Sequence, residues 1–330
     1  MGQPKPPGRR GRTTGGEDAA LARLAAAHLA REGPPPDGEL WIGDDAALVR
    51  FGPSAVLLST DVVVGGVHAD LSLVTPEDLG WKAVAAAVSD IGAMGGRPRH
   101  LLVTCCLPPD ADVDRIDDGV GEAAAAFGVA VVGGDLSVAD EIVVAVAVTG
   151  TVEGDGPPVS RSGARPGDHL FVTGPLGASA AGLRVLRERR ELSPDEERLA
   201  EAHRRPRPRL SEGQVARRAG ASAMIDVSDG LAIDLDRLAT ASGVGLDLDD
   251  VPVADGATLD EALGGGEDYE LVVATARPDE LVTALKDAGL RPPYVLGRCT
   301  ARPGERLLRG RPLERLGWEH PIGGSSKEAR

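Results

Sequence analysis

The sequence predicts an α/β or α+β protein with two domains, and three observations support this interpretation. The chain has 330 residues, which is more than a single hydrophobic core usually holds. Short apolar segments of strand length alternate with longer amphipathic segments through both halves, as in sheets covered by helices. Residues 153–158 are rich in Gly and Pro and indicate a linker. We therefore predict domains at residues 17–155 and 156–330, preceded by a disordered tail at residues 1–16 that has almost nothing to bury.

Composition narrows the class of protein. Hydrophobic residues make up 42% of the chain but aromatic residues only 2%, so the core must consist mainly of Ala, Val and Leu. The formal net charge of -15 argues against a nucleic-acid or anionic-membrane partner. The three cysteines lack zinc-site spacing. No apolar stretch approaches the roughly 20 residues of a membrane span, and no signal peptide is recognisable. We expect a cytoplasmic protein.

In the first half, the clearest element is a long helix after Thr75. Thr75 is a typical N-cap, Pro76 occupies the first helical position, and Asp78 stands three residues after the cap. The helix is expected to end at Met94, before two glycines. The other predicted elements are helices at 17–31 and 114–127 and strands at 47–51, 55–58, 100–106, 129–132 and 142–148.

In the second half, an apolar strand at 223–226 runs directly into Ser228-Asp229-Gly230 and then a helix whose leucines follow helical spacing. Unpaired N–H groups at such a helix start suit a phosphate, whereas an ordinary N-cap at Ser228 or Asp229 is the simpler alternative. The remaining predicted elements are strands at 169–173 and 269–274 and helices at 178–191 and 279–289.

Six aspartates are predicted at strand ends or helix edges, with hydroxyl residues beside them. Carboxylates without clustered Cys or His are hard oxygen ligands, which suit Mg²⁺ rather than zinc. Three of these acids have simpler structural explanations: Asp229 as an N-cap, Asp226 as a solvated loop acid, and Asp90 as a rim carboxylate bonded to backbone. The set comprises Asp45, Asp61, Asp90, Asp135, Asp226 and Asp229, with Ser59, Thr60 and Ser228 as their neighbours.

Oxygen ligands together with glycine-rich turns indicate phosphate chemistry, but the common nucleotide-binding motifs are absent. The chain has no Gly-Lys-Ser/Thr, no protein-kinase loop set and no dinucleotide-binding glycine fingerprint with its acid. A nucleotide would then be held mainly through metals, because two unit charges about 4 Å apart repel by about 4 kcal/mol at an effective dielectric of 20. Arg161 could hold a phosphate or could be a salt-bridged turn residue.

Seven motifs in order resemble the thiamine-monophosphate kinase family. They are Gly-Asp-Asp-Ala (43–46), Ser-Thr-Asp (59–61), Val-Ser-Asp-Ile-Gly-Ala-Met-Gly (88–95), Gly-Gly-Asp (133–135), Arg-Ser-Gly-Ala-Arg-Pro-Gly-Asp (161–168), Ile-Asp-Val-Ser-Asp-Gly-Leu (225–231) and Gly-Gly-Glu-Asp-Tyr-Glu-Leu (265–271). The resemblance spans residues 40–320. It implies the two-domain fold of the aminoimidazole ribonucleotide synthetase superfamily, with mixed sheets flanked by helices.

The resemblance also implies a reaction and a set of site residues. The reaction is ATP-dependent phosphorylation of thiamine monophosphate to thiamine diphosphate, by direct in-line transfer, in a homodimer whose N-terminal domains pair. No side chain is implied as a catalytic acid or base, so catalysis would consist of positioning and charge neutralisation. The implied Mg²⁺ ligands are Asp45, Ser59, Thr60, Asp61, Asp90, Asp135, Asp226 and Asp229. The implied ATP contacts are Gly134, Asp135, Arg161 and Ser228, and the implied substrate contacts are His68, Glu267 and Trp318.

Two other functions compete with this one. The chain could be a different ATP-using member of the superfamily, although it lacks an early Cys-Lys site and a C-terminal Cys. It could also be a metal-binding partner protein without catalysis, in which case Arg161 and Ser228 would have no required role. Ala69 and Pro321 stand where the family usually has aromatic residues.

Overall fold

The computed structural model describes residues 17–52 and 54–321. The predicted disordered tail at residues 1–16 lies outside this range. The described residues fall into two compact units, residues 17–36 with 319–321 and residues 37–318. Within the first unit, the His320 amide donates to Glu17 Oε2 at 2.9 Å. No helix in the described ranges has the length and apolarity to cross a membrane.

The helices and strands follow one another in mixed order along the chain. The helices are α1 (Glu17–Glu32), α2 (Pro76–Ala93), α3 (Val113–Phe127), α4 (Ala178–Arg187), α5 (Pro194–Arg204), α6 (Leu210–Arg218), α7 (Leu231–Ser242), α8 (Leu259–Gly264) and α9 (Pro278–Asp287). The strands are β1 (Ala47–Phe51), β2 (Ser54–Val64), β3 (Arg97–Leu107), β4 (Ala130–Val138), β5 (Val143–Thr151), β6 (His169–Val172), β7 (Ala223–Asp226), β8 (Gly245–Leu248), β9 (Leu271–Thr275), β10 (Tyr294–Thr300), β11 (Arg306–Leu308) and β12 (Arg311–Pro312).

The first half forms a five-stranded sheet in the order β1-β2-β5-β3-β4. Its neighbours are antiparallel except β3 and β4, which are parallel. Helix α2 is buried along most of its length. It begins as predicted, because Thr75 and Asp78 exchange the two hydrogen bonds of a capping box. Leu57 from β2 and Ile91 from α2 are fully buried in the same core.

The second half forms a seven-stranded sheet in the order β12-β11-β8-β10-β6-β9-β7. It is also mixed, because β11 pairs with β8 in parallel while its other pairs are antiparallel. Leu170, Ile225 and Val272 lie in its core. The predicted class, α/β with mixed sheets flanked by helices, is confirmed.

Several predicted boundaries are wrong, each for a local reason. We expected strands to end before Ser59 and before Gly133, but β2 continues to Val64 and β4 to Val138. The β-branched run after Asp61 keeps pairing with β5. In β4, Gly134 permits close pairing with β3, since a Cβ on Gly134 would lie 1.8 Å from the Val103 carbonyl oxygen.

Two further boundaries in the second half differ from the prediction. Helix α4 ends at Arg187 instead of residue 191, and Arg189 has a φ of 51°. Strand β9 begins at Leu271 instead of Tyr269, because Tyr269 has a φ of 47° and cannot continue extended pairing.

A test of packing in the first half compares two glycines of α3. A Cβ on Gly119 would lie 1.9 Å from the Glu77 carbonyl oxygen at the start of α2, whereas one on Gly121 meets nothing within 4 Å. We expect Gly119→Ala to lower the free energy of unfolding by about 2 kcal/mol or more through forced separation of the helices. Gly121→Ala should raise it by up to about 1 kcal/mol through helix propensity. Thermal denaturation measures both, and equal effects would contradict this packing.

Candidate active site

Three carboxylates that are distant in sequence come together where the two halves of the chain meet. Asp45 lies just before β1, Asp90 lies near the end of α2, and Asp226 is the last residue of β7. One oxygen from each lies within 4.8 Å of the others. We call these three residues the acidic cluster. It joins residues from both halves of the chain because α2, from the first half, packs against β7 of the second.

Neighbouring side chains orient each carboxylate of the cluster. Ser59 Oγ donates to Asp90 Oδ2 at 2.5 Å, and Ser89 Oγ donates to Asp226 Oδ2 at 2.5 Å. Asp45 Oδ1 accepts from Arg161 Nη2 at 2.5 Å. The other oxygen, Asp45 Oδ2, is buried and has no hydrogen-bond partner among the described residues. A buried carboxylate oxygen without a partner is unfavourable unless a cation or a ligand meets it.

Burial and mutual repulsion make the charged cluster unfavourable by itself. Burial raises the pKa of Asp90 well above its ordinary value, and the carboxylates of Asp226, Asp61 and Asp45 raise it further. Burial likewise raises the pKa of Asp226 well above its ordinary value, and Asp45 adds repulsion. Burial also raises the pKa of Asp45, although Arg161 opposes that shift. A bound divalent cation would remove this penalty by restoring opposite charge.

Arg161 lies beside the acidic cluster and contacts two residues of the Gly43–Ala46 motif. Its guanidinium is paired with Asp45, while its backbone N–H donates to both carboxylate oxygens of Asp44 at 3.1 Å. Burial raises the pKa of Asp44 to about 6, and repulsion from Asp45 adds to this effect. The salt-bridged alternative foreseen for Arg161 therefore describes its contacts, and these contacts also hold its guanidinium at the acidic cluster.

The three predicted ligands from β2 do not all face the cluster. Side chains alternate along a strand, so Ser59 and Asp61 share one face and Thr60 occupies the other. Asp61 lies close enough to raise the pKa of Asp90. Thr60 is exposed. The structure therefore brings Ser59 and Asp61 to the cluster and directs the Thr60 side chain away from it.

Two predicted nucleotide residues lie on the outer strand of the first sheet. Gly134 and Asp135 are inside β4, where Asp135 is paired in register with Thr104 of β3. All nine residues of β4 are exposed. Asp135 is not part of the acidic cluster.

The corner after β7 differs from both sequence interpretations. Gly230 is the N-cap of α7 and no side chain caps the helix from that position, so the expected cap at Ser228 or Asp229 is wrong. The N–H groups of residues 228, 229 and 230 are also not unpaired, because all three donate to Asp234 Oδ2 at 3.0–3.1 Å. Asp234 therefore fills the position where a phosphate was expected to bind.

Arg237 completes this corner. Its Nη1 donates to Asp234 Oδ1 at 2.9 Å and also contacts Asp229 Oδ2. Asp229 is thus held in an ion pair and does not join the acidic cluster. Asp226 is the one aspartate of the Ile-Asp-Val-Ser-Asp-Gly motif that does.

Two of the three predicted substrate residues, Glu267 and Trp318, contact the same corner. The backbone N–H of Glu267 donates to the Ser228 carbonyl at 2.8 Å, and that of Trp318 donates to the Asp229 carbonyl at 2.9 Å. His68 lines a cavity of about 670 Å³, whose wall also includes His203. His203 Nδ1 lies 3.5 Å from Glu267 Oε2. Glu267 itself lines a neighbouring cavity of about 840 Å³.

Three further residues contribute to this region and were missed by sequence analysis. Lys82 is 1% exposed, and its Nζ donates to Glu267 Oε2 at 2.8 Å. Tyr269 is buried, and burial together with the carboxylates of Glu267 and Asp61 raises the pKa of its hydroxyl well above the ordinary value. Asp234 anchors the corner described above. The available signals were a lysine within the apolar run 79–88 of α2 and an acid four residues after the Gly230 corner.

The fold and the acidic cluster define a member of the AIR synthase related proteins. Residues 43–152 match the N-terminal domain of that family and residues 165–309 match its C-terminal domain. Within this class, the chain belongs to the thiamine-monophosphate kinase family, as its similarity to members of that family shows.

Two relatives and one solved structure illustrate the similarity. The thiamine-monophosphate kinase of Bacillus subtilis is 36% identical over 274 residues, covering 78% of this chain and 84% of the relative. That of Methanopyrus kandleri is 35% identical over 306 residues, covering 89% and 93%. A structure described as AaThiL complexed with AMPPCP and TMP is 34% identical, with a TM-score of 0.80 over 92% of this chain and 97% of that chain.

Proposed function

We propose that this chain transfers the γ-phosphate of ATP to the phosphate of thiamine monophosphate. In this reaction a phosphate oxygen of thiamine monophosphate forms a bond to the γ-phosphorus, and the bond between that phosphorus and the leaving oxygen of ADP breaks. The products are thiamine diphosphate and ADP. The observation that carries the proposal is the acidic cluster, which Asp45, Asp90 and Asp226 form across both halves of a chain of this family.

Mg²⁺ is the cation that best fits the acidic cluster. The donors are carboxylate and hydroxyl oxygens, and Asp45 Oδ2 is buried without a partner. We propose that Asp45, Asp90 and Asp226 hold Mg²⁺, with Asp61 and Ser59 next to them on β2. When bound, Mg²⁺ would neutralise negative charge on the phosphate oxygens. The carboxylates would hold the cation, and the cation would compensate their negative charge. Catalysis would then consist of positioning and charge neutralisation, without a catalytic acid or base.

The proposed ATP contacts are Arg161 and Ser228, which lie near the acidic cluster, and Gly134 and Asp135, which rest on the family motifs alone. The Arg161 guanidinium lies at the acidic cluster and is placed to meet phosphate oxygens there. Ser228 lies at the corner that follows Asp226. Gly134 and Asp135 remain proposed ATP contacts from the family motifs. Thr60 and Asp135 likewise remain proposed Mg²⁺ ligands from those motifs, and Asp229 would need to leave its pair with Arg237 to bind a metal.

The substrate is proposed to lie along the surface from the acidic cluster to the cavity that His68 lines. Thiamine monophosphate carries a positively charged ring, and that cavity is bordered by Asp70, Asp140 and Glu141. Glu267 offers a further carboxylate and Trp318, which is 48% exposed, offers a ring for stacking. The cavity of about 670 Å³ is within the usual size range of small-molecule sites.

A product assay tests the proposed function. The purified chain is incubated with Mg²⁺, ATP and thiamine monophosphate, and thiamine diphosphate and ADP are measured by chromatography. We expect the two products in equal amounts, and none without Mg²⁺. Thiamine and other phosphorylated acceptors serve as controls for acceptor choice. Hydrolysis of ATP with no thiamine diphosphate formed would refute the proposed function.

The homodimer is proposed from the surface of the first sheet. Strand β4 is a sheet edge, and several of its apolar residues are more than half exposed, among them Val132 at 58%, Leu136 at 66% and Val138 at 75%. Apolar edges of this kind are usually covered, and a second copy of the same strand would cover this one.

We expect the charge substitution Leu136→Asp to convert a dimer to a monomer, because it would place an unpaired carboxylate inside the interface. Light scattering after size exclusion measures the mass. The matched control is Val295→Asp on β10 of the other sheet, which is 53% exposed and should leave the mass unchanged. A monomeric unsubstituted chain would rule out the dimer.

We propose a domain boundary between residues 155 and 156 and a cytoplasmic location for the protein. The first sheet ends with Thr151 and the second begins with His169, which is compatible with a boundary near residues 155 and 156. A cytoplasmic location is proposed on the cysteine usage of the sequence.

A further inference from the structure

Lys82 is a deeply buried charged residue near the proposed substrate site. It lies on α2, and its side chain is 2% exposed. Its Nζ makes two contacts, one to the backbone carbonyl of His203 at 2.8 Å and one to Glu267 Oε2 at 2.8 Å. A buried ammonium is unfavourable unless it is paired, so its partners must be present and well placed.

The Glu267 carboxylate is held from one side. Its Oε2 oxygen meets both Lys82 Nζ and His203 Nδ1. Burial lowers the pKa of His203 to about 3, with the nearby Lys82 cation as the second cause, so the His203 ring is neutral and leaves the charge balance to Lys82. No hydrogen bond or ion pair to Glu267 Oε1 is found among the described residues, and the residue lines the cavity of about 840 Å³. One carboxylate oxygen is therefore fixed and the other is available.

The backbone of Glu267 is held in an unusual conformation at the same place. Its φ is 64°, a left-handed value that is rare for a residue with a side chain. Such conformations persist where the surroundings determine them, and they occur often at functional sites. Here the Glu267 N–H donates to the Ser228 carbonyl, and the next residue, Asp268, accepts from the Gly177 N–H at 2.6 Å.

We propose that Lys82 is a positioning residue that fixes the Glu267 carboxylate for the cationic part of the substrate. This inference rests on the proposed function, because it takes Glu267 as a contact to the positively charged ring of thiamine monophosphate. Lys82 holds Oε2 and leaves Oε1 directed to the ligand. Helix α2 carries both Lys82 and Asp90. The same helix therefore positions the Glu267 carboxylate, through Lys82, and supplies the Asp90 carboxylate of the acidic cluster.

Steady-state kinetics on substituted chains test the proposal. Lys82→Met keeps the length of the side chain and removes its charge. We expect the KM for thiamine monophosphate to rise on the order of 10-fold or more, as for supporting contacts generally, while the KM for ATP stays unchanged. Glu267→Gln should raise the same KM, and the double variant should be no worse than Glu267→Gln alone, since residues that act as a pair are not additive.

A stability measurement separates positioning from folding. Lys82→Met leaves a carboxylate without its partner and should lower the Tm, whereas the added Glu267→Gln change should restore the Tm but not the KM. The control is Arg217→Met, which removes another buried cation that contacts the backbone of residues 153–156. It should lower the Tm without a selective change in the KM for thiamine monophosphate.

Four outcomes would overturn the proposal. An equal rise in both KM values, or additive effects in the double variant, would assign Lys82 a structural role only. An active unsubstituted chain together with an unchanged KM in Lys82→Met would refute the positioning role and leave the proposed function intact. An inactive unsubstituted chain would refute the proposed function and this inference with it.

Discussion

Asp226→Asn is expected to abolish turnover while it raises the Tm of the ligand-free chain. The substitution keeps the shape of the side chain and removes one negative charge from the acidic cluster. Loss of a charge proposed to hold Mg²⁺ should lower kcat on the order of 10²-fold or more. Ligand-free stability should rise because repulsion with Asp45 and the burial of one charge are both removed.

The pH dependence of this effect has a definite sign. The pKa of Asp226 in the folded chain lies well above its ordinary value, so the folded state binds a proton more tightly than the unfolded state. Stability from this group is present below the unfolded pKa of about 3.9 and is lost as the pH rises through the folded pKa. The Tm difference between Asp226→Asn and the unsubstituted chain should therefore be large at neutral pH and disappear near pH 4.

A control for this experiment is Asp118→Asn, at an exposed position of α3. It should change neither the Tm nor the turnover. Turnover within a few-fold of the unsubstituted chain in Asp226→Asn would remove Asp226 from the proposed metal site.

Asp61→Ala is expected to abolish turnover and leave the fold intact. Asp61 shares the face of β2 with Ser59 and acts electrostatically on Asp90, but it is only partly buried and lies outside the core. We expect kcat to fall on the order of 10²-fold, with an unchanged circular dichroism spectrum. If activity survived within a few-fold, Asp61 would not be a principal metal ligand. Asp118→Ala serves as the control for loss of an exposed carboxylate.

Much of the fold could be predicted because its signals are local. The capping box at Thr75 and the leucine spacing after Gly230 are short patterns in which each residue has a direct backbone consequence. The ends of β2 and β4 could not be predicted in this way. They depend on pairing with β5 and β3, and a glycine such as Gly134 can serve close strand packing as well as a turn.

The site was predictable as a set of motifs but not as a geometry. Sequence patterns could not show that Asp226 and Asp229, three residues apart, separate into a cluster carboxylate and an ion pair with Arg237. Nor could they show that Asp234 accepts the hydrogen bonds of the backbone N–H groups at the start of α7. These outcomes depend on which side chains reach the backbone N–H groups and the charged groups of the corner in the folded chain. Lys82 was missed because its partner Glu267 lies 185 positions away.

Nucleotide binding by the unsubstituted chain and by Asp226→Asn is the most direct test of a metal site shared by the two halves. Calorimetric titration with ATP in the presence of Mg²⁺ measures the affinity of each. We predict metal-dependent binding to the unsubstituted chain and an affinity lower on the order of 10-fold or more for Asp226→Asn. Equal affinities, or binding that does not depend on Mg²⁺, would contradict the proposed role of the acidic cluster.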